Sequence, residues 1–157
     1  MDRPSFDVLG FLQEPRHPAS VATVTGQGRP ALAMMWFMLA EGRLWFHTPE
    51  GGSAPSPFLR AAAGAHDVAV MIATFCPPDD VRQVRASGPA RVEERDDARV
   101  HAIYSRYVDA WTPAWDEQVT SEDYRLWSML PARGMAVTYP GLADGPVFRW
   151  SEPWLST

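Results

Sequence analysis

Strand-length segments follow one another in this sequence without a helix between each pair. That order excludes a doubly wound parallel sheet, which requires a βαβ rhythm. The clearest segment runs from Val81 to Glu94, where Val84, Ala86, Ala90 and Val92 are expected on one face and Gln83, Arg85, Ser87 and Arg91 on the other. Upstream, Ser20 to Thr25 is short and β-branched, Gly26-Gln27-Gly28 forms a turn, and Ala31 to Leu39 completes a hairpin. Glu41-Gly42 turns the chain into a third strand, Arg43 to Thr48. Asp67 to Phe75 is a nearly unbroken apolar run and reads as a central strand buried on both faces. Met135 to Tyr139 and Val147 to Trp150 are the last strands.

Helices fill some of the gaps. Ser5 is expected to cap one through Leu12, ended by Pro15 and Pro18. Phe58 to Ala65 follows the Pro-, Gly- and Ser-rich loop Pro49 to Pro57, with Pro57 in its first turn. Asp96 or Asp97 caps a third helix, whose Val100, Ile103, Tyr104, Tyr107 and Val108 share one face. Trp111 to Thr120 reads as irregular, and Ser121 is expected to cap a helix through Leu130. A closed antiparallel sheet with helices at its openings fits this order, in a single domain over 1–157.

The chain has 157 residues, 46% of them apolar and 21% charged, which suits one soluble domain. No apolar run is long enough to span a membrane, and the start Met1-Asp2-Arg3-Pro4 lacks the layout of a signal peptide, so a cytoplasmic setting is expected. Cys76 is the single cysteine, and His17, His66 and His101 have no ligand-like spacing, so no metal site is expected. With a net charge of −5 and no cluster of basic residues, nucleic acid and membrane are not expected partners. All the basic residues are arginines, and a site that needs lysine cannot exist here.

The element order and three segments carry a resemblance: Gly28-Arg29-Pro30 before a strand with Trp36-Phe37; Leu44-Trp45-Phe46-His47-Thr48; and Arg82-Gln83-Val84-Arg85-Ala86-Ser87-Gly88-Pro89-Ala90. Together they resemble the pyridoxamine 5′-phosphate oxidase-like superfamily, over roughly Phe11 to Trp150. The resemblance implies a six-stranded antiparallel split β-barrel of the FMN-binding type, mainly β with flanking helices. It further implies a homodimer that holds its cofactor between subunits, and an oxidoreductase that moves a hydride to or from a small organic substrate. FMN is the first expectation, F420 the second, and no cofactor the third. By the same resemblance Ala33, Met34, Met35 and Trp36 lie beside the ring, His47 and Thr48 near the ribityl phosphate, and Gln83 at the ring's polar edge.

The chain departs from the family where the phosphate is gripped. The family's Gly-Ser-x-Lys-x-Arg-Asn-Leu stands here as Gly52-Ser53-Ala54-Pro55-Ser56-Pro57-Phe58-Leu59, so Pro55 replaces the lysine and Pro57 the arginine. Two lost charged hydrogen bonds, at about 1.5–3 kcal/mol each, weaken binding by roughly two to four decades. Ser53, Arg60, Arg85 or an arginine of a partner subunit are the expected replacements. The competing expectation is a split barrel that has lost redox activity and binds a small molecule without a cofactor.

Overall fold

The computed structural model describes residues 4–156. Its first helix, α1 (Val8–Gln13), buries Val8, Phe11 and Leu12 and is capped by Asp7, whose carboxylate accepts from Gly10 N–H at 3.0 Å. Ser5 therefore does not cap it; the carboxylate two residues on is closer to the first free N–H groups. The strands β1 (Ala19–Val24) and β2 (Pro30–Met35) form the expected hairpin. The strand expected over 31–39 breaks at Trp36-Phe37 and resumes as β3 (Met38–Ala40). At the break Phe37 N–H donates to the Tyr107 hydroxyl at 3.2 Å, and that hydroxyl donates to the His17 carbonyl at 2.8 Å. A side chain thus replaces a sheet partner.

After β4 (Arg43–Pro49) and the loop comes α2 (Pro57–Ala63), with Ser56 as cap and Pro57 at the first turn. β5 (Asp67–Ala73) pairs with β1 on one side and β6 (Arg82–Val92) on the other. β5 buries Val68, Val70 and Ile72 but leaves Ala69 exposed and Met71 partly so. It is therefore buried on one face within the chain, not on both. Val92, expected inward, is 44% exposed, because β6 runs past the end of the core.

α3 (Asp97–Ser105) is capped by Asp96 and buries Val100, Ile103 and Tyr104. The stretch read as irregular contains α4 (Pro113–Val119). Pro113 opens this helix instead of breaking it, and Trp111, Trp115 and Val119 recur every four residues against the core formed by Trp45, Val100 and Leu126. The helix expected after Ser121 is instead strand β7 (Tyr124–Met129). Ser121 Oγ accepts from Asp123 N–H at 3.2 Å, which closes a local turn. The residues after it then enter the sheet between β4 and β6 and are buried on both faces. β8 (Arg133–Thr138) and β9 (Val147–Trp150) complete the sheet.

The sheet is antiparallel throughout, in the order β2-β1-β5-β6-β7-β4-β3, with β8 on β6 and β9 on β8. Among the described residues it runs in nine segments where seven strands are expected from the sequence, because the strand expected over 31–39 is split into β2 and β3 and β7 is a strand in place of a helix. β6 forms the spine of this curled half-barrel. Its residues 82–87 pair with β8 and its residues 90–92 with β7, so the sheet divides at Gly88. A Cβ there would lie 1.8 Å from the Leu130 carbonyl oxygen, so the crossing chain fits only over glycine. No helix among the described residues is long and apolar enough to cross a membrane.

One end of β6 is tied to α1 by Arg82. Its guanidinium bonds Asp80 at 2.8 Å and Glu14 at 2.9 Å and lies over the Phe11 ring. Hydrogen bonds from Arg82 hold both carboxyls below their ordinary values, helped at Glu14 by His17 and at Asp80 by Thr74. Such depressed groups stabilise the fold above their unfolded pKa, and the gain is lost as pH falls through the folded value. Both carboxylates are partly exposed, which screens the effect. Arg82→Gln is expected to cost about 1–2 kcal/mol at neutral pH and to flatten the acid side of the stability profile. Urea midpoints measured between pH 7 and pH 3 check this; parallel curves for wild type and variant would contradict it.

Candidate functional site

The end of β2, the end of β4, the loop before α2 and the inner faces of α3 and α4 enclose a cleft of about 580 Å³. Ala33, Met34, Met35 and Trp36 reach it from β2 and the break that follows; His47 and Thr48 reach it from β4. Six of the ten residues expected to touch a cofactor therefore converge on one space. Across from them stand Tyr104 and Ile103 of α3, Trp115 and Gln118 of α4, and Pro57 and Phe58 of α2. Trp36 stacks on Tyr107 at 5.0 Å and meets Tyr104 edge-on at 5.5 Å, which makes one wall aromatic and stiff.

The other four residues lie elsewhere. Ser53 is exposed in the loop and does not line the cleft. The Arg60 guanidinium lies over the β1–β2 turn, where a Cβ on Gly26 would sit 1.9 Å from its Nη1. It borders a separate cleft of about 750 Å³ together with His66 and Arg133. Gln83 and Arg85 sit on β6, where Arg85 looks onto the open face of the sheet. Within one chain these residues do not meet the cleft.

Thr48 and His47 have committed partners. Thr48 is 7% exposed, and its Oγ1 accepts from Trp127 Nε1 at 2.8 Å. His47 Nδ1 lies 2.7 Å from the Tyr104 hydroxyl, and Gln118 Nε2 donates to the same hydroxyl at 3.1 Å. The tyrosine hydroxyl can keep the amide contact and still donate to Nδ1, and in that arrangement the imidazole proton sits on Nε2. His47 also stacks on Tyr124 at 5.0 Å and forms part of the wall between this cleft and a polar pocket of about 290 Å³ holding Asp97 and Arg95. Burial pushes its pKa down to about 4 against the pull of Asp97. Burial likewise pushes Tyr104 up to about 12.

The wall is therefore neutral at physiological pH, and no arginine among the described residues lines the cleft. A depressed histidine pKa means that stability falls as pH drops from about 6.5, the ordinary value, toward the folded value. NMR of the His47 ring is expected to show one neutral Nε2–H tautomer from pH 8 down to about 5; titration near 6.5 would contradict the buried Tyr104 contact. Tyr104 and Gln118 were not singled out as site residues in the sequence. Tyr104 was legible only as one apolar position of an amphipathic helix, and Gln118 lies in the stretch read as irregular.

A family model for pyridoxamine 5′-phosphate oxidase matches residues 8–137. The chain belongs to the pyridoxamine 5′-phosphate oxidase family. Solved structures share the split-barrel fold. A heme binding protein from Mycobacterium smegmatis superposes with a TM-score of 0.66 at 18% identity, covering 96% of this chain and 60% of that one. The general stress protein 26 from Bacillus anthracis str. Sterne gives 0.62 at 16% identity, covering 91% and 95%. An F420 reductase gives 0.59 at 20% identity, covering 82% and 97%. This chain thus spans less than two thirds of the mycobacterial protein. No curated protein matches the sequence. Pro57 lines the cleft and Pro55 borders the adjoining hollow, at the two positions where the resemblance led to an expected arginine and lysine.

Proposed function

We propose that the aromatic cleft holds the ring of FMN, or of the deazaflavin F420, and that the protein works as a homodimeric oxidoreductase on a small organic substrate. One observation carries this reading: the four positions that the resemblance puts beside the ring and the two that it puts near the ribityl phosphate line a single apolar cleft with a stiff aromatic wall. A flat ring with polar edges suits such a space. The fit is good for the ring and poor for an anionic tail, because no cation among the described residues of one chain lines the cleft. Arg85 and Gln83 face away from the cleft of their own chain, so they serve a cofactor only across a subunit seam. The homodimer is therefore part of the reading. F420 has the longer acidic tail and suffers more from the missing cations, which favours FMN.

When bound, the cofactor supplies the hydride chemistry. This chain's part is to flank the ring with Met35 and Trp36, to exclude water with Tyr104, Trp115 and Phe58, and to keep His47 uncharged with its Nε2 proton fixed. The alternative, a cofactor-free binder of aromatic ligands, draws on the same apolar walls and on the absence of cations.

Fluorescence titration separates these readings. FMN, F420 and lumiflavin, which is the ring without a phosphate, are titrated into the purified protein, with hemin as a control. Saturable quenching by FMN supports the oxidoreductase reading. Binding of lumiflavin at equal strength to FMN supports the alternative. No binding of any flavin at tens of micromolar removes both.

A further inference from the structure

The open face of the sheet carries two rows of outward side chains, fixed by strand register. One row crosses six strands as Met34, Ser20, Met71, Arg85, Met135 and Arg149. The next runs Leu32, Ala22, Ala69, Ser87 and Arg133. Leu32 is 75% and Met34 72% exposed. A hollow of about 840 Å³ lies along these rows, and no carboxylate among the described residues lines it. Arg133 is paired with Asp67, but Arg85 and Arg149 have no ion pair among the described residues. This cationic face belongs to a protein whose net charge is −5.

We infer that Arg85 and Arg149 form an anion site in the seam between two copies of this chain, and that a phosphate-type anion bound there is what lets the seam close. This rests on the homodimer reading above. An isologous interface places the same patch on both sides. A seam built on this face therefore gathers Arg85 and Arg149 twice, with no carboxylate from the patch to offset them. Their mutual repulsion grows as the apolar rows exclude water. A polyvalent anion between the guanidinium groups reverses the sign of the interaction, and guanidinium groups grip phosphate through paired N–H bonds. The same site answers the absence of cations around Pro55 and Pro57, because the phosphate of a ring-bound cofactor is the anion class expected there.

Sedimentation equilibrium tests the inference on the whole protein, in chloride buffer and with inorganic phosphate, FMN or riboflavin added. Phosphate is expected to tighten the wild-type dimer by tenfold or more. If the anion is the cofactor's own tail, FMN tightens it at lower concentration than phosphate does, while riboflavin does not. If it is free phosphate, FMN has no advantage. The double variant Arg85→Gln, Arg149→Gln is expected to dimerise in chloride and to lose the phosphate response. A dimer whose strength ignores phosphate, or a double variant with an unchanged phosphate response, overturns the anion site while leaving the dimer intact. A monomer in every buffer removes the homodimer reading itself.

Discussion

Replacing Trp127 with alanine is expected to destabilise the fold by about 3–5 kcal/mol, the range for losing a large aromatic side chain from a packed core. Trp127 is 0% exposed and stacks on Phe46 at 4.5 Å and more distantly on Phe58. It links β7, β4 and α2, so the cavity opens where the wall of the cleft meets the barrel. The urea midpoint reads the loss directly. Thr48→Val is the informative companion, since it keeps the volume and removes the acceptor for Trp127 Nε1 together with the long contact from the hydroxyl to Met35 Sδ at 3.9 Å. A buried N–H left without a partner costs about 1–3 kcal/mol. Thr48 was assigned by family resemblance to the cofactor, whereas its hydroxyl here accepts from the core. A drop in stability with unchanged flavin affinity would make Thr48 a support of the cleft. Lost affinity at full stability would return it to the ligand, and the hydrogen bond to Trp127 would then not be its main role.

The barrel was legible because alternation in β6, the hairpin turn at Gly26-Gln27-Gly28 and the missing βαβ rhythm all pointed the same way. The region from Trp111 to Leu130 was not. Local signals there are ambiguous: Pro113 reads as a breaker but opens α4, and Ser121 reads as a helix cap but closes a turn before β7. What decides β7 is its place between β4 and β6, a non-local pairing that overrides propensity. The site divides in the same manner. Residues on β2 and β4 were found through the family resemblance, whose motifs fall on two segments that the sequence also shows to be strands. The opposite wall of Tyr104, Trp115 and Gln118 depends on how α3 and α4 dock, which no spacing reveals. The apolar run of β5 misled for a related reason. Its exposed face is uniform in sequence with its buried face, and an open sheet face is the physical sign of a surface that needs covering.

That surface gives the second large expectation. Leu32→Arg is expected to raise the dimer dissociation constant a hundredfold or more, equivalent to about 3 kcal/mol. Leu32 lies on the open face, 75% exposed within the chain, so the folded protomer tolerates arginine with a stability change within about 0.5 kcal/mol. In an isologous seam the change counts twice, adding two more cations to a patch that already presents Arg85 and Arg149 from each side. Leu32 does not line the aromatic cleft, and this separates assembly from ring binding. The monomeric variant should therefore keep its affinity for lumiflavin to the extent that the cleft of one chain is sufficient, and should lose the added affinity that a phosphate confers on FMN. Light scattering and the two titrations, made on the same sample, read each part separately. A Leu32→Arg protein that remains a dimer would show that this face is not the seam. A monomer that retains the full preference for FMN over lumiflavin would place the phosphate within one chain, although no arginine among the described residues lines the cleft.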